Sequence, residues 1–230
     1  MKQECVFYMS NKTNKNYRYR LAYSRTGAMS WLAHLDLLRN FQYACRRAKL
    51  PIAFTKGYNP RQIMEFALPV GVGIETRKDP VDLELLEKIS VESIITKLNV
   101  NLPNGIKIES AKYLDYPVKS LMSLVEAAAY TLKTDNLGPA TEKVILVDSE
   151  LIIVKRKRKG KTQEYNLREL ILKVEIISNN EVKLFCKAGS VANLRPDMLL
   201  KALYERTEIT KIAALDAIIV RDNVYLKNGG

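Results

Sequence analysis

The chain has 230 residues, of which 47% are hydrophobic and 27% charged, a balance typical of folded globular proteins. This length allows one large domain or two small ones. No apolar run approaches the ~20 residues that a membrane-spanning helix needs, and the first residues lack the apolar segment of a signal peptide. We therefore expect a cytoplasmic protein with no membrane partner.

The charge is strongly basic, with 37 Lys and Arg residues against 25 Asp and Glu, for a formal net charge of +12. A basic cytoplasmic protein most often binds a polyanion, and RNA is the leading class, although the charge could serve solubility alone. The three cysteines, Cys5, Cys45 and Cys186, are far apart, and His34 is the only histidine. These counts exclude a disulfide framework, a cysteine-rich cluster site and a multi-histidine metal site, so no cofactor is expected in this chain.

The first part of the chain predicts a strand followed by a helix. Alternation in "YRYRLAYS", residues 17–24, predicts a strand with Arg18 and Arg20 on one face and aromatic residues on the other. Ser30 is the predicted N-cap of a helix that ends before Pro51.

Two more strands, a helix and a strand follow. "IAFT" and "MEFALPVGV" predict short strands, and "VDLELLE" predicts an alternating segment with Asp82 and Glu84 facing outward. Ser90 is the predicted cap of the helix "VESIITKLNVNL", and "GIKIESAKYLD" predicts another strand. The order β-α-β-β-α-β over residues 17–115 is the ferredoxin-like pattern.

The second part repeats this pattern loosely. It contains a predicted hairpin with Asn179 and Asn180 in its turn, and a helix with Pro196 in its first position. We therefore predict an α+β protein made of two related ferredoxin-like halves with antiparallel sheets. The predicted divisions are a flexible N-terminal segment (1–16), a ferredoxin-like half (17–115), a connector (116–126) and a second α+β half with a basic loop (127–230).

The sharpest electrostatic feature is the run "KRKRKGK", in which six of seven residues are basic. A loop of this kind suits a phosphate backbone, because each neutralised phosphate releases a counterion. The alternative is a solvated charged loop. The candidate RNA-binding residues are Lys155, Arg156, Lys157, Arg158, Lys159 and Lys161 in this run, with Arg18 and Arg20 on the first strand.

His34 and Asp36 are the candidates for catalysis. They lie near the start of the predicted helix, where a histidine can transfer protons or orient a phosphate. The alternative is a histidine that only satisfies hydrogen bonds beneath a loop. No Ser-His-Asp arrangement, phosphate-binding loop or zinc motif is present in the sequence.

Two turns are candidate recognition surfaces. In "AFTKGYNPRQIMEFALPVGVGIE", residues 53–75, a turn displays Tyr58, Asn59 and Arg61 between two apolar runs. In "AGSVANLRPDMLLKAL", Asn193 and Arg195 stand before a helix, where they could meet a carboxylate or phosphate. A plain connection and a plain helix cap are the alternatives.

Several long motifs in order carry a family resemblance. The segment from "YRLAYS" to "GVGIE", then "SLMSLVEAAAY" and "GSVANLRPDMLLKAL", together resemble the radical-SAM-linked protein family, DUF2344, over residues 17–226. The resemblance implies a gene beside, or fused behind, that of a B12-binding-type radical SAM protein, often near genes for an E/G-type ribonuclease and ribosomal proteins. It places the iron–sulfur cluster and SAM on that partner, and it implies no established activity for the chain itself.

The match to the family pattern is uneven. His34 and Asp36 match the "HLDL" segment, whereas Arg61 and Gln62 stand where the family usually has His-Pro. Arginine can hold an anion but is a poor proton shuttle.

Three functions remain open from the sequence. The first is an accessory RNA-binding module, without activity of its own, that works with a radical SAM enzyme in rRNA or tRNA modification or processing. The second is a stand-alone RNA-processing or RNA-modifying enzyme that uses His34 and Asp36. The third is a protein-interaction subunit with no affinity for RNA.

Overall fold

The computed structural model describes residues 16–114, 119–148, 151–158 and 161–227. The predicted N-terminal segment therefore lies outside the described residues apart from Asn16, and so do residues 115–118 at the predicted connector. No helix among the described residues is long and apolar enough to cross a membrane. The elements in chain order are β1 (Tyr17–Arg25), a 3-10 turn (Gly27–Trp31), α1 (His34–Arg47), β2 (Met64–Phe66), β3 (Ile74–Leu85), α2 (Val91–Asn101), β4 (Ile106–Leu114), α3 (Leu121–Leu124), β5 (Val125–Lys133), α4 (Leu137–Thr141), a π-helical turn (Glu142–Val147), β6 (Ile153–Arg158), β7 (Lys161–Asn166), α5 (Leu167–Leu170), β8 (Ile171–Ser178), β9 (Glu181–Lys187), α6 (Pro196–Tyr204), α7 (Lys211–Leu215) and β10 (Ile218–Leu226).

Eight of these strands form one large sheet. Its order is β4-β1-β3-β10-β5-β9-β8, and β2 also pairs with β3, while β6 and β7 pair only with each other as a separate hairpin. All neighbouring strands are antiparallel except β3 and β10, which run parallel where Ile219 lies opposite Ile74. The molecule therefore has a mixed helix and strand fold with one large, mostly antiparallel sheet.

Two groups of strands, one from each predicted half, meet at β10, the last of the described strands. The sequence predicted two halves, each with its own sheet, and the β-α-β-β-α-β order predicted for residues 17–115 is observed. The two groups of strands nevertheless join into one sheet, because β10 lies between β3 and β5.

Two hydrophobic cores lie along this sheet. One contains Tyr19 and Leu21 from β1 with Leu37 and Phe41 from α1. The other contains strand residues such as Leu184 together with α6 residues such as Leu199. Alternation along β9, for example, sends Val182, Leu184 and Cys186 into the second core.

Three local predictions are confirmed and one is wrong. The Ser90 hydroxyl caps α2 by accepting from the Ser93 amide, Pro196 is the first residue of α6, and Asn179 and Asn180 form the turn between β8 and β9. Ser30 does not cap α1, which begins only at His34. Its hydroxyl instead donates to the Gly27 carbonyl within the 3-10 turn, at 2.7 Å.

Candidate functional site

Arg18 and Arg20 are buried in ion pairs, which corrects their assignment to an RNA-binding surface. Arg20 donates from Nε and Nη2 to the two carboxylate oxygens of Asp82, at 2.8 and 3.0 Å. Arg18 donates to Glu65 at 3.0 Å, and its exposure is 9%, against 5% for Arg20. Asp82 is therefore buried, contrary to the prediction that it faces outward. Alternation alone did not reveal this, because β1 is an interior strand that is covered on both faces.

Two tyrosines of β1 are also buried. Tyr19 and Tyr23 are buried in the core, and the Tyr19 hydroxyl donates to the Ile89 carbonyl at 2.7 Å. Their rings pack edge-on against Tyr113 and Phe41, respectively. Neither tyrosine offers a face on which a base could stack.

His34 and Asp36 face different partners. His34 begins α1, and its ring packs edge-on against Phe66 with 5.3 Å between ring centroids. Burial, followed by the positive charges of Arg25 and Arg221, lowers the pKa of His34. Asp36 instead forms a surface ion pair with Arg39 at 2.9 Å. The two candidate groups are therefore not arranged as a hydrogen-bonded acid–base pair.

The loop around Tyr58 projects from the edge of the sheet. It is closed at its base by the Thr55 amide, which donates to the Arg61 carbonyl at 2.8 Å, and by the Thr55 hydroxyl, which accepts from the Arg61 amide. Gly57 has φ of 129°, a value that favours glycine, and Tyr58 is fully exposed. Asn59 and Arg61 are also exposed, so the three predicted recognition side chains lie at the surface.

The segment that follows this loop forms one wall of a cleft. Residues 68–74 face residues of α6 and α7 across a cavity of about 860 Å³, with Tyr130 and Arg221 also among its lining residues. Asn193 and Arg195 line this cleft, whereas Tyr58, Asn59 and Arg61 do not. The two predicted recognition turns thus belong to different surfaces.

Two buried arginines hold the cleft wall in place. Arg221 donates from Nε to Asp79 at 2.9 Å and from Nη2 to the Leu68 carbonyl at 2.9 Å. Arg25 donates from Nη2 to the carbonyls of Gly71 and Ile74, at 2.8 and 2.6 Å. Burial alone would lower the pKa of Arg221, but the adjacent Asp79 carboxylate raises it on balance, so the guanidinium stays charged.

The described residues of the basic run lie in paired strands rather than in a loop. Residues 155–158 belong to β6 and Lys161 begins β7, with Lys155 opposite Glu164 and Arg158 opposite Lys161. Lys159 lies outside the described residues. The hairpin is not part of the large sheet, so its strands pair only with each other.

A partly exposed aromatic pair, which the sequence-based predictions did not include, lies on the face of the sheet opposite α6. The rings of Phe185 on β9 and Tyr225 on β10 pack edge to face, with centroids 5.0 Å apart. They line a shallow groove of about 220 Å³ together with Lys173 and Lys183. The signal was present in "EVKLFCK", where alternation puts Lys183, Phe185 and Lys187 on one face.

The described cysteines are buried in different cores. Burial raises the pKa of the Cys45 thiol to about 12 and that of the Cys186 thiol to about 12. Such thiols are poor metal ligands and nucleophiles, because the thiolate is the reactive form. Among the described residues, no group of three or more His, Cys, Asp and Glu is placed to hold a metal ion. Cys5 lies outside that part of the chain.

Comparison with known proteins adds one finding. Residues 18–196 match a family model described as "Uncharacterized protein conserved in bacteria (DUF2344)". That description gives no activity, substrate or partner. No curated protein matches the chain.

Proposed function

The chain belongs to the DUF2344 family of uncharacterized bacterial proteins, and we propose that it acts as an RNA-binding accessory module in the cytoplasm. The observation that carries the proposal is the aromatic pair Phe185 and Tyr225 on the open face of the sheet. We define the open face as the face of β5, β8, β9 and β10 that carries this pair, opposite the face against which α6 packs. Aromatic rings on an uncovered sheet are a common platform for unpaired bases.

The strand between the two aromatic residues, β5, carries only alanine beside their rings. In the register of the sheet, Ala129 of β5 lies opposite Phe185, and Ala127 lies opposite Tyr225. Paired residues share a face, so the side chains beside the two rings are methyl groups. The small side chains let the two rings meet above β5, with centroids 5.0 Å apart and Ala127 only 4% exposed beneath them. A base would therefore stack on the outer side of the pair, where Tyr225 is 40% exposed.

Three lysines lie beside the aromatic pair on the same face of the sheet. Lys173 lies opposite Phe185, and Lys183 and Lys187 are the neighbours of Phe185 on the same face. All three are exposed, so they can contact phosphates while a base stacks on the ring. Three carboxylates on this face each pair with a cation, namely Glu175 with Lys173, Glu181 with Lys133 and Asp222 with Arg77. Lys183 and Lys187 then leave an excess of positive charge.

The strand order supports a relation between the two halves. β4-β1-β3-β2 in the first half and β10-β5-β9-β8 in the second have the same connectivity and are antiparallel throughout. We infer that each half is a ferredoxin-like unit, with the β6–β7 hairpin inserted into the second. Sheets of this topology stack RNA bases on their open face in other proteins, which is support by analogy of fold.

The proposed partner is a radical SAM enzyme, and the support is the sequence resemblance described above. The iron–sulfur cluster and SAM would then belong to that enzyme, and this chain would hold the rRNA or tRNA substrate. The charge of +12 favours such a substrate.

Binding to a labelled single-stranded RNA of about 12 nucleotides, measured by fluorescence anisotropy in ~50 mM salt, tests the proposal. We expect the double variant Phe185→Ala, Tyr225→Ala to bind roughly 10- to 100-fold more weakly, because each stacked base contributes about 1–3 kcal/mol. Tyr225→Phe should retain affinity, since the ring remains.

The matched control is Tyr43→Ala, which removes a half-exposed aromatic side chain from α1. It should bind RNA like the unchanged protein. Absence of RNA binding in the unchanged protein, or equal affinity in the double variant, would contradict the proposal.

A further inference from the structure

The cleft between residues 68–74 and α6–α7 lies on the opposite side of the sheet from the aromatic pair. Leu199 of α6 packs in the same core as Leu184, and Leu184 alternates along β9 with Phe185. The cleft is therefore a second surface, separate from the open face. RNA on Phe185 and Tyr225 would leave it accessible.

Part of the wall and part of the rim of the cleft are apolar. Leu68, Val70 and Leu200 line it, and Val72 and Leu215 stand at its opening with exposures of 56% and 74%. Trp31 adds an indole that is 71% exposed and lies next to Gly73, since a Cβ on Gly73 would lie 3.6 Å from the ring. Single exposed apolar side chains are ordinary, but several around one opening mark a surface that another molecule covers.

The charge at this opening is positive. Arg195, Lys201 and Lys211 line the cleft, and the N-terminal end of the nine-residue helix α6 adds the positive end of its dipole. Arg195 pairs with Asp197, and Lys201 pairs with Glu205 at 3.6 Å. Exposed ion pairs of this kind stabilise the protein only slightly, so carboxylates of an incoming ligand can replace Asp197 and Glu205 as partners of these cations.

The wall is fixed before any ligand arrives. Arg25 and Arg221 hold the carbonyls of Leu68, Gly71 and Ile74, and both arginines are buried. A wall that is already ordered costs less entropy on binding.

We propose that this cleft docks an acidic segment of a partner protein, whose apolar side chains enter between Val72 and Leu215 while its carboxylates meet Lys201 and Lys211. The apolar rim and the cationic lining together select this occupant, because nucleic acid would leave the aliphatic side chains of Val72 and Leu215 unused. The inference does not depend on RNA binding. Together with RNA binding on the open face, this docking would let one chain hold a partner protein and a nucleic acid at the same time.

Site-specific photo-cross-linking of the full chain tests this docking. A photoreactive amino acid at Val72 or at Leu215, in cells that make the protein naturally, should cross-link to the same segment of one partner, identified by mass spectrometry of the cross-linked peptide. That segment should be acidic and contain large apolar residues. The same amino acid at Val100, which is 79% exposed on α2, is the control and should give no such product.

Charge reversal gives the second measurement. Lys201→Glu combined with Lys211→Glu should lower the cross-linking yield and the affinity for a synthetic peptide of that segment roughly tenfold, because attraction becomes repulsion. Both lysines are exposed, so the fold should persist, and RNA affinity should fall no further than in Lys97→Glu combined with Lys107→Glu, which matches the change in net charge. Cross-links to RNA, to a second copy of this chain or at the level of the Val100 control would overturn the proposal, as would a yield unaffected by charge reversal.

Discussion

His34 shows how burial sets the chemistry of one side chain. Its Nδ1 atom is buried and has no hydrogen-bond partner among the described residues. Burial and the charges of Arg25 and Arg221 lower its pKa below the ordinary value of 6.5. Between the folded and unfolded pKa values the unfolded chain binds more protons, so stability is greatest above pH ~6.5 and falls as the pH drops toward the folded pKa.

We therefore expect the free energy of unfolding in urea to decrease between about pH 7 and pH 5. His34→Phe should lessen this decrease, because the phenyl ring can pack on Phe66 without titrating. An unchanged pH dependence in this variant would show that other groups cause the decrease. An RNA-cleaving or RNA-modifying activity of the purified protein that His34→Phe abolishes would instead favour the catalytic alternative.

The behaviour of individual residues could be predicted only where it depends on neighbours in sequence. The Ser90 cap and Pro196 at the start of α6 follow from local backbone chemistry, and both were predicted. The burial of Arg18 and Arg20 depends on Asp82 and Glu65, which reach them from distant segments of the chain. No periodic pattern of residues in the sequence predicts such long-range ion pairs. The position of Phe185 on the face opposite the core could have been predicted, because alternation in "EVKLFCK" already separates it from the core residues.

The β6–β7 hairpin is the element with the highest density of positive charge. Its strands pair only with each other, so neutralising its lysines and arginines should not weaken the large sheet. Replacing Lys155, Arg156, Lys157 and Arg158 by Ala should weaken RNA binding and flatten its dependence on salt. Each lost phosphate contact should reduce the slope of log K against log salt by about 0.7 for single-stranded RNA.

Anisotropy titrations between about 50 and 200 mM salt measure that slope. Exchange of four exposed lysines of the first half, Lys56, Lys78, Lys97 and Lys107, for Ala is the control for net charge. A hairpin variant with the slope of this control would show that the hairpin only adds to the overall charge.

The basic segment could be predicted from the sequence, but its strands could not. The sequence placed it in a loop, because alternating Lys and Arg residues give no apolar periodicity that would indicate a strand.

The two cores are joined by β10, and this junction was beyond prediction from sequence. Ile219 pairs with Ile74 in the one parallel contact among the described strands of the sheet, and no local pattern signals that partner. Across the same junction, Arg221 of β10 forms a buried pair with Asp79 of β3. The halves should therefore unfold together, because loss of β10 breaks the sheet on both of its sides.

Arg221→Met tests this coupling. It leaves the Asp79 carboxylate buried without its partner, which costs about 3–5 kcal/mol. Hydrogen exchange monitored by mass spectrometry should show β1 and β9 losing protection by the same amount, since both share one global unfolding step. Arg77→Met is the matched control, because Arg77 also joins β3 to β10 through Asp222 but is 61% exposed, and its loss should cost at most about 1 kcal/mol. Loss of protection confined to one half would mean that the two cores open independently, despite the shared sheet.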